Sequence, residues 1–433
     1  MDNKLKKNKL INISSTLGIG LLAFFIGCED DDAADAIVIE SFNITRVDIE
    51  STGDGSQSQP ELIRFTGETE GVIVNSAQNT LDFITITPTD LSLSGESIQI
   101  TTDPDAEASS VDVSVDESII ATIITKGACT RGELYLVETS TKTKYGPYTV
   151  GFNPDAVDIA VDNQYVVVVN EFDWEDGTDA GCAENGTGFP GVSIYDISAG
   201  IANATLVKDI KIVGTGSVNG QLREPEGVKI APDGETVYFT LQESNELGFF
   251  KISSPPDSIP ESNIVPYTST NHEPDGLWLN SAGTLLCTAG ETDGQIGIHS
   301  IGSDGTVSTQ RFFGLYQPLN GTGWEIGESA SESNAIEPEE VAIVEEGGKT
   351  FVISTLQVAG LVVVLDITDP DNATFDSAAL TELHDYVADG PGPCGQWGPS
   401  CGAPEGVAYR NGYVLVSNTY DPSVALFKAS WAQ

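Results

Sequence analysis

The segment "PEGVKIAPDGETVYFTLQESNELGFFKI", Pro225 to Ile252, contains the repeat that decides the fold. "PEGVKIA", "TVYFTL" and "LGFFKI" are short apolar runs of the kind that form strands. The "PDG" between the first two runs is a turn sequence, because Pro sets φ and Gly tolerates positive φ. No helical periodicity competes with this pattern. We therefore predict three successive strands here, followed in most copies by a weaker fourth strand.

Six further segments repeat the pattern, beginning at Pro60, Ala108, Pro154, Pro274, Pro338 and Pro404. Their mean spacing is about 57 residues, above the ~40–50 residues of propeller repeats, and the surplus lies in loops. The last copy ends after three strands, whereas a spare strand-like segment, Ser41 to Ile49, precedes the first copy. Closing the ring with this segment protects the sheet edges. The sequence predicts an all-β, seven-bladed β-propeller over residues 41–433, its last blade closed by the N-terminal strand.

Two stretches carry a family resemblance: "VGFNPDAVDIAVDNQYVVVVNE…GVSIYDIS" and "EPEGVKIAPDGETVYFTLQESNEL". They resemble the choice-of-anchor I family of secreted β-propellers, over roughly residues 60–430. That family is related to propeller regions near PhoX-like phosphatases and to mesenchyme-specific cell-surface glycoproteins. More distantly, the repeats are similar to YVTN and NHL propellers. The resemblance implies the fold and brings no settled reaction with it.

The first residues have the pattern of a lipoprotein signal. Several lysines before residue 10 are followed by an apolar run, Leu17 to Gly27, that is too short to span a bilayer as a helix. "FIGC", ending at Cys28, resembles a bacterial lipobox, although Phe25 is a less common residue at its first position. We expect residues 1–27 to be a signal peptide and Cys28 to be lipidated. An ordinary cleaved signal with a chance cysteine is the alternative.

Residues 28–40 are expected to form an acidic tether, because a run of like charges such as "EDDDAAD", Glu29 to Asp35, cannot pack. The run also resembles the surface-export signal of Bacteroidota lipoproteins. This pattern predicts a cell-surface lipoprotein in the outer membrane of a Gram-negative, Bacteroidota-like bacterium, held to the membrane by its lipid alone.

The overall charge excludes one class of partner. The 433 residues include 19 Lys and Arg against 65 Asp and Glu, a formal net charge of −46. Such a surface repels phosphate backbones and anionic lipid, so nucleic acid is not an expected partner.

Six cysteines fit an oxidising compartment. Cys394 and Cys401 bracket a Gly/Pro loop that a disulfide can close. Cys129 and Cys182 lie in equivalent loops of neighbouring repeats and are expected to pair. Cys287 lies in a strand and is expected to be a buried free thiol.

Six of the seven copies place an acid directly after the proline or its equivalent. In a propeller the first strand of each blade lines the channel, so these acids are expected to ring one channel mouth. They are Glu61, Asp155, Glu226, Asp275, Glu339 and Glu405, and Ser109 takes the position in the second copy. One interpretation is a Pro-x-Gly turn signature with a tolerant middle residue. The other is a cation site, calcium being a cation that takes several carboxylates.

The longest insertions are expected on the same face, where a rigid scaffold usually carries function. They are Glu171 to Gly191, Tyr316 to Ile336 and Tyr386 to Ala403. Trp174, Trp324 and Trp397 fall within them. An exposed tryptophan can stack on sugar rings or anchor a protein partner, or it can simply pack its own loop.

Signals of catalysis are few. The sequence has no GxSxG elbow, HExxH motif, P-loop or Rossmann fingerprint. Of its three histidines, His299 and His384 fall in strands. His272, just before the acid Asp275, is the candidate general acid or base.

Two functional hypotheses follow. In the first, the propeller is a surface binding module that presents an acidic, aromatic, loop-rich face to a protein or glycan. In the second, it is a calcium-dependent hydrolase of phosphoesters or lactones at the channel mouth.

Overall fold

The computed structural model describes residues 41–53, 58–127, 129–172, 188–217, 220–322, 336–381, 403–420 and 422–432. In these residues seven antiparallel sheets of four strands each form a ring. The first strand of each sheet contacts the first strands of the two neighbouring sheets. The first strands of the first and last sheets along the chain also contact each other, which closes the ring. The predicted all-β, seven-bladed propeller is confirmed. None of the helices in this part of the chain is long and apolar enough to cross a membrane.

Each blade runs from a channel-lining strand outward to an edge strand. Blades 1 to 4 consist of β2 (Pro60–Phe65), β3 (Glu70–Asn75), β4 (Thr80–Thr87) and β5 (Asp90–Gln99); β6 (Ala106–Val113), β7 (Ile119–Lys126), β8 (Arg131–Glu138) and β9 (Thr143–Phe152); β10 (Pro154–Ile159), β11 (Tyr165–Asn170), β12 (Gly191–Asp196) and β13 (Thr205–Lys211); and β14 (Val228–Ile230), β15 (Thr236–Leu241), β16 (Glu246–Lys251) and β17 (Ile264–Pro266). Blades 5 to 7 consist of β18 (Pro274–Leu279), β19 (Leu285–Gly290), β20 (Gln295–Ile301) and β21 (Val307–Gly314); β22 (Pro338–Glu346), β23 (Lys349–Leu356), β24 (Leu361–Asp366) and β25 (Thr374–Leu380); and β26 (Pro404–Arg410), β27 (Tyr413–Asn418), β28 (Ser423–Ala432) and β1 (Ser41–Ser51).

Blade 4 shows how the repeat folds. In its "PDG" turn, Gly234 has a φ of +71° and the Asp233 carboxylate accepts a 2.8 Å hydrogen bond from the Thr236 amide. Successive residues of β15 then face opposite neighbours, since side chains alternate along a strand. Phe239 packs toward blade 3, and Tyr238 packs toward blade 5. The core therefore consists of apolar layers between adjacent blades.

The ring is closed by β1, as the sequence predicts. It pairs antiparallel with β28, from Ser41 opposite Ala432 to Ser51 opposite Ser423. Phe42 is fully buried, and its ring centroid lies 5.0 Å from that of Phe351 in blade 6. The N-terminal strand thus also joins blade 7 to its neighbour.

One element was not expected from the sequence. The segment interpreted as a loop from Tyr316 begins with a short helix, α1 (Tyr316–Thr322). Leu315 and Leu319 are fully buried in the apolar cluster between blades 5 and 6. This tertiary packing stabilises a helix too short to be recognised by periodicity.

Candidate functional site: the acidic channel mouth

The channel mouth gathers the predicted acids around one cavity. The six carboxylates come from six different blades, and Ser109 of blade 2 completes their ring. The cavity has about 770 Å³ of empty space, counting its open mouth. We call this set the mouth ring: Glu61, Ser109, Asp155, Glu226, Asp275, Glu339 and Glu405. The structure therefore brings the predicted residues together, while metal binding there remains a prediction.

A β-bulge aims five of these six acids into the channel; in blade 4, Glu226 instead precedes the first strand, β14. In blade 3 the pairing register shifts between Pro154 and Val157, around Asp155. Blade 5 has the same shift between Pro274 and Leu277. Blades 1, 6 and 7 repeat it. Because a bulge re-aims a side chain, Pro-acid is a bulge signature at the start of a strand.

In three repeats a glycine follows the acid, and packing between channel strands explains why glycine is needed there. A Cβ added to Gly227 would lie 2.6 Å from the Asp275 carbonyl oxygen, and one on Gly276 would lie 2.6 Å from that of Glu339. Neither glycine has the positive φ of a turn residue. The interpretation of Pro-x-Gly as a turn is therefore wrong, and close approach between neighbouring channel strands explains the glycine.

A second set of side chains lies beside the mouth ring and was missed in the sequence. In six blades, the residue directly after the second strand donates its amide to the carbonyl of the residue before the blade's proline. The donors are Ser76, Glu171, Gln242, Glu291, Gln357 and Thr419. The position directly after each second strand is the signal that could have found them.

Some acids of the mouth ring accept hydrogen bonds from this second set of side chains, and others do not. Ser76 Oγ donates to Glu61 at 2.7 Å, and Gln357 Nε2 donates to Glu405 at 2.7 Å. In contrast, the Asp155 carboxyl group lies within hydrogen-bonding reach of the Glu226 carboxyl group. Asp275 and Glu339 form a second carboxyl pair of this kind.

Burial raises the pKa values of the mouth ring. It raises the pKa of Asp155 to about 6, that of Glu61 to about 7 and that of Asp275 to about 8. The pKa values of Glu226 and Glu339 are raised well above their usual range, first by burial and then by neighbouring carboxylates. Both causes disfavour the charged form, so a proton or a cation must offset the repulsion.

Three carboxylates meet at one corner of the mouth. One oxygen from each of Asp155, Glu171 and Glu226 lies within 4.8 Å of the others. The Glu171 carboxylate also accepts a 2.5 Å hydrogen bond from Asn153 Nδ2. Their separation fits hard-cation coordination, because Ca²⁺–oxygen distances of about 2.3–2.6 Å place opposite ligands roughly 5 Å apart.

The floor of the cavity is a buried ionic layer, in which Arg64, Asp158 and Lys229 lie three residues, and Glu340 one residue, beyond the mouth-ring position of the same strand. Arg64 of blade 1 forms two hydrogen bonds to Glu340 of blade 6, at 2.5 and 3.1 Å. Lys229 Nζ lies 2.6 Å from Asp158 and 4.1 Å from the centroid of a Trp278 ring. Burial lowers the Lys229 pKa, but nearby carboxylates more than offset this effect and raise it overall. The two cations beneath the mouth ring are thus already paired.

The opposite end of the channel has a different lining. A second cavity is bordered by Arg64, Trp278, Val115 and Arg410, among others. Arg64 lines both cavities, so its ionic layer separates the two ends of the channel.

His272 does not line the mouth cavity. Its side chain is fully buried in blade 5, where Nδ1 lies 3.0 Å from Asp293 and Nε2 lies 3.0 Å from Thr288. With both ring nitrogens engaged inside a blade, His272 is placed to support packing, which corrects the expectation that it serves as an acid or base at the mouth. His299 is also fully buried, and burial lowers its pKa well below the usual value.

Among the cysteines, Cys129 is disulfide-bonded. Cys287 is a buried free thiol, as expected. The other predicted disulfide cysteines, Cys182, Cys394 and Cys401, lie outside the described residues, as does the expected lipidation site Cys28. So do Trp174, Trp324 and Trp397, and the predicted signal peptide and tether.

Comparison with solved structures shows the fold alone, because the identities are low. A streptogramin B lyase is 12% identical with a TM-score of 0.57, covering 90% of this chain and 98% of that chain. The periplasmic gluconolactonase PpgL of Pseudomonas aeruginosa is 12% identical with a TM-score of 0.57, covering 86% and 91%. The Cps50 (Swd1) β-propeller domain of Myceliophteria thermophila is 8% identical with a TM-score of 0.58, covering 88% and 99%.

A search of curated proteins finds no match. The family comparison is positive: the choice-of-anchor I domain matches residues 61–318, more than half of the chain and most of the propeller. The name of this family points to anchoring at the cell surface, and the domain and fold together indicate a surface or binding module. The chain is thus a member of the choice-of-anchor I domain family, as its repeats suggested.

Proposed function

We propose that this propeller is a non-catalytic binding module of the cell surface and that the mouth ring is its ligand-contacting face, with calcium held among the carboxylates. The observation that carries the proposal is the convergence of six carboxylates from six blades on one cavity. Such carboxylates repel one another strongly where water is scarce. A bound Ca²⁺ relieves this repulsion and takes six to eight oxygen ligands, which leaves positions for oxygens of a partner.

A protein carboxylate or the hydroxyl groups of a glycan can supply those oxygens. Trp174, Trp324 and Trp397 are proposed to flank the mouth and to stack on the same partner. Changing them to alanine is expected to lower partner recovery from outer-membrane extracts. Unchanged recovery would count against a role for these tryptophans.

The face itself is tested by capture of outer-membrane proteins and by binding to a glycan array, each with calcium and with EDTA. The double variant Glu226→Gln, Asp275→Asn removes charge from the mouth. Val115→Ser is the matched control, because Val115 is 72% exposed and lines the opposite cavity. We expect binding to be lost in EDTA and in the double variant but retained in the control. Equal binding by all three proteins would contradict the proposal.

Hydrolysis of a lactone or phosphoester at the same cavity is the second candidate. It is favoured by carboxyl groups with pKa values near neutrality, such as Asp155 at about 6 and Asp275 at about 8, since a general base works best near the operating pH. Incubation with lactone and phosphoester panels in calcium tests it. Turnover that Asp155→Asn abolishes would replace the binding proposal with the hydrolase.

We also propose that lipidated Cys28 anchors the propeller to the outer membrane, with the acidic tether directing it to the cell surface. Protease treatment of intact cells tests this location. Degradation of the propeller is expected, and protection from the protease would contradict surface exposure. A Cys28→Ala variant is expected to be released from the membrane fraction.

A further inference from the structure

The mouth ring is chemically asymmetric, although the propeller repeats. Glu61 and Glu405, in blades 1 and 7, accept hydrogen bonds from Ser76, Thr419 and Gln357. A hydroxyl or amide donor stabilises a carboxylate without a metal. This side of the mouth therefore receives hydrogen-bond donors from the protein, although burial still raises the pKa values of Glu61 and Glu405.

The side formed by blades 3 and 4 is different. Glu226 is only 8% exposed, yet within the described ranges no N–H or O–H group donates to its carboxylate. Its neighbours are the carboxyl groups of Asp155, Glu171 and Glu243 and, further on, Asp275. Burial of a carboxylate carries a desolvation cost, and the group within hydrogen-bonding reach of Glu226 is another carboxyl group, that of Asp155. Either a proton shared with Asp155 or a bound cation can offset this cost, and the third carboxylate at the corner, Glu171, favours the cation.

We infer that a single Ca²⁺ site lies at this corner, with Asp155, Glu171 and Glu226 as its protein ligands. The inference rests on the proposed function and narrows it from the whole mouth ring to one corner. Glu171 adds a ligand from outside the ring, and the Asn153 amide orients its carboxylate. Such support is typical of metal ligands, whose own partners hold them in position.

The remaining pair, Asp275 and Glu339, does not form a second site. Their carboxyl groups lie within hydrogen-bonding reach of each other, and burial raises the pKa of both. Among the described residues, no third Asp, Glu, His or Cys converges on this pair within 4.8 Å, as Glu171 does on Asp155 and Glu226. Binding at the corner is accordingly expected to involve one Ca²⁺ per chain.

Three carboxylates supply at most six oxygens, and fewer if any binds through one oxygen, whereas Ca²⁺ takes six to eight. The cavity in front of Asp155 and Glu226 is open to solvent at the mouth. The open positions therefore suit an anionic or hydroxyl oxygen of an incoming ligand. This assigns the ligand class as an oxygen donor that binds through the cation.

The test compares thermal unfolding of metal-free protein with and without calcium for the wild type, Glu226→Gln and Glu405→Gln. Glu226→Gln removes one of the three carboxylate ligands with little change in side-chain size. Its apparent Ca²⁺ affinity is expected to fall at least about tenfold. Glu405→Gln, which has a donor in Gln357, is expected to retain the calcium-dependent rise in Tm. Glu70→Gln, on an exposed residue, controls for charge alone.

A crystal soaked with calcium supplies the location. Ion density between Asp155, Glu171 and Glu226 is the expected result. Density at Asp275 and Glu339, or an equal loss of affinity in Glu226→Gln and Glu405→Gln, would overturn the inference while leaving a calcium-dependent mouth in place. Conversely, calcium at the corner combined with partner binding that ignores calcium would sink the proposed function alone.

Discussion

At the scale of single residues, one position at the entry to each channel strand, bulged in six of the seven blades, decides what faces the channel. The sequence predicted which residues occupy it, because Pro-acid recurs at the start of six of the seven repeats. The residue types did not reveal that Ser76, Gln357 and Thr419 donate hydrogen bonds to one side of the ring, since these donors have no residue type in common. Glu171 could not be identified from the sequence for the same reason. Its position follows from its backbone hydrogen bond to Asn153 and from the approach of its carboxylate to Asp155 and Glu226.

The raised pKa values predict how the metal-free protein responds to pH. Folded-state pKa values of about 7 for Glu61 and about 8 for Asp275 exceed the ordinary carboxyl value of roughly 4, so the folded state binds more protons than the unfolded chain. The stability these groups contribute is complete below pH 4 and is lost as pH rises through 7 and 8. In EDTA we expect a lower Tm at pH 9 than at pH 7.

Calcium and one substitution provide the controls for this prediction. Saturating calcium is expected to reduce the fall in Tm between pH 7 and pH 9. Asp275→Asn is expected to make the Tm less dependent on pH over the same range. His299 affects stability in the opposite direction, because burial lowers its pKa and its contribution is lost as pH falls. This loss occurs below about pH 6.5, outside the range of the comparison. A Tm that is equal or higher at pH 9 in EDTA would show that the ring is not protonated.

The glycines of the channel strands make a second residue-scale prediction. Gly276→Ala places a Cβ 2.6 Å from the Glu339 carbonyl oxygen of the next blade. Overpacking against backbone is expected to destabilise the protein by about 1–3 kcal/mol, measured by urea unfolding. Gly314→Ala is the matched control, because a Cβ there meets nothing within 4 Å. Equal stability of the two variants would contradict close approach as the reason for the glycine.

At the scale of elements, the strands could be predicted well because apolar runs and turn residues recur in register. The predicted "TVYFTL" strand coincides with β15 (Thr236–Leu241). The helix α1 could not be predicted, because its seven residues depend on the burial of Leu315 and Leu319 between two blades. The closing strand was predicted from an incomplete last repeat, and its structure shows how it is held.

That closing strand depends on Phe42. The Phe42 ring packs against Phe351 and Trp431, and its amide donates to Asp376 of blade 6 at 2.8 Å. Phe42→Ala is expected to destabilise the protein by about 3–5 kcal/mol, because it removes a fully buried aromatic ring. Urea unfolding measures the loss, with Asn43→Ala, exposed on the same strand, as the neutral control. A loss below 1 kcal/mol would mean that closure does not rely on this residue.

At the scale of the whole molecule, a layer of buried ion pairs separates the two cavities of the channel. Arg64 and Glu340 are 276 positions apart in the chain, so no local pattern could have paired them. The repeat fold brings them together because both follow the bulge on β2 and β22, the two channel strands that flank β26 of blade 7. Six carboxyl groups lie at the mouth, above the Arg64 and Lys229 of the floor.

The Arg64–Glu340 ion pair of the floor leads to a prediction about stability. Arg64→Met leaves Glu340 buried without its main partner, so a loss of about 3–5 kcal/mol is expected in urea unfolding. The double variant Arg64→Met, Glu340→Met is expected to recover part of this loss, since neither charge is left alone. A double variant as unstable as the sum of the two single variants would indicate that the pair is not coupled.

The central claim is that the acidic mouth binds a divalent cation, and calorimetric titration of Ca²⁺ into metal-free wild-type protein tests it most directly. We predict saturable binding of one Ca²⁺ per chain with a Kd below about 1 mM, the weak limit of extracellular calcium modules. The absence of saturable heat up to about 10 mM Ca²⁺, well beyond that limit, would contradict the claim.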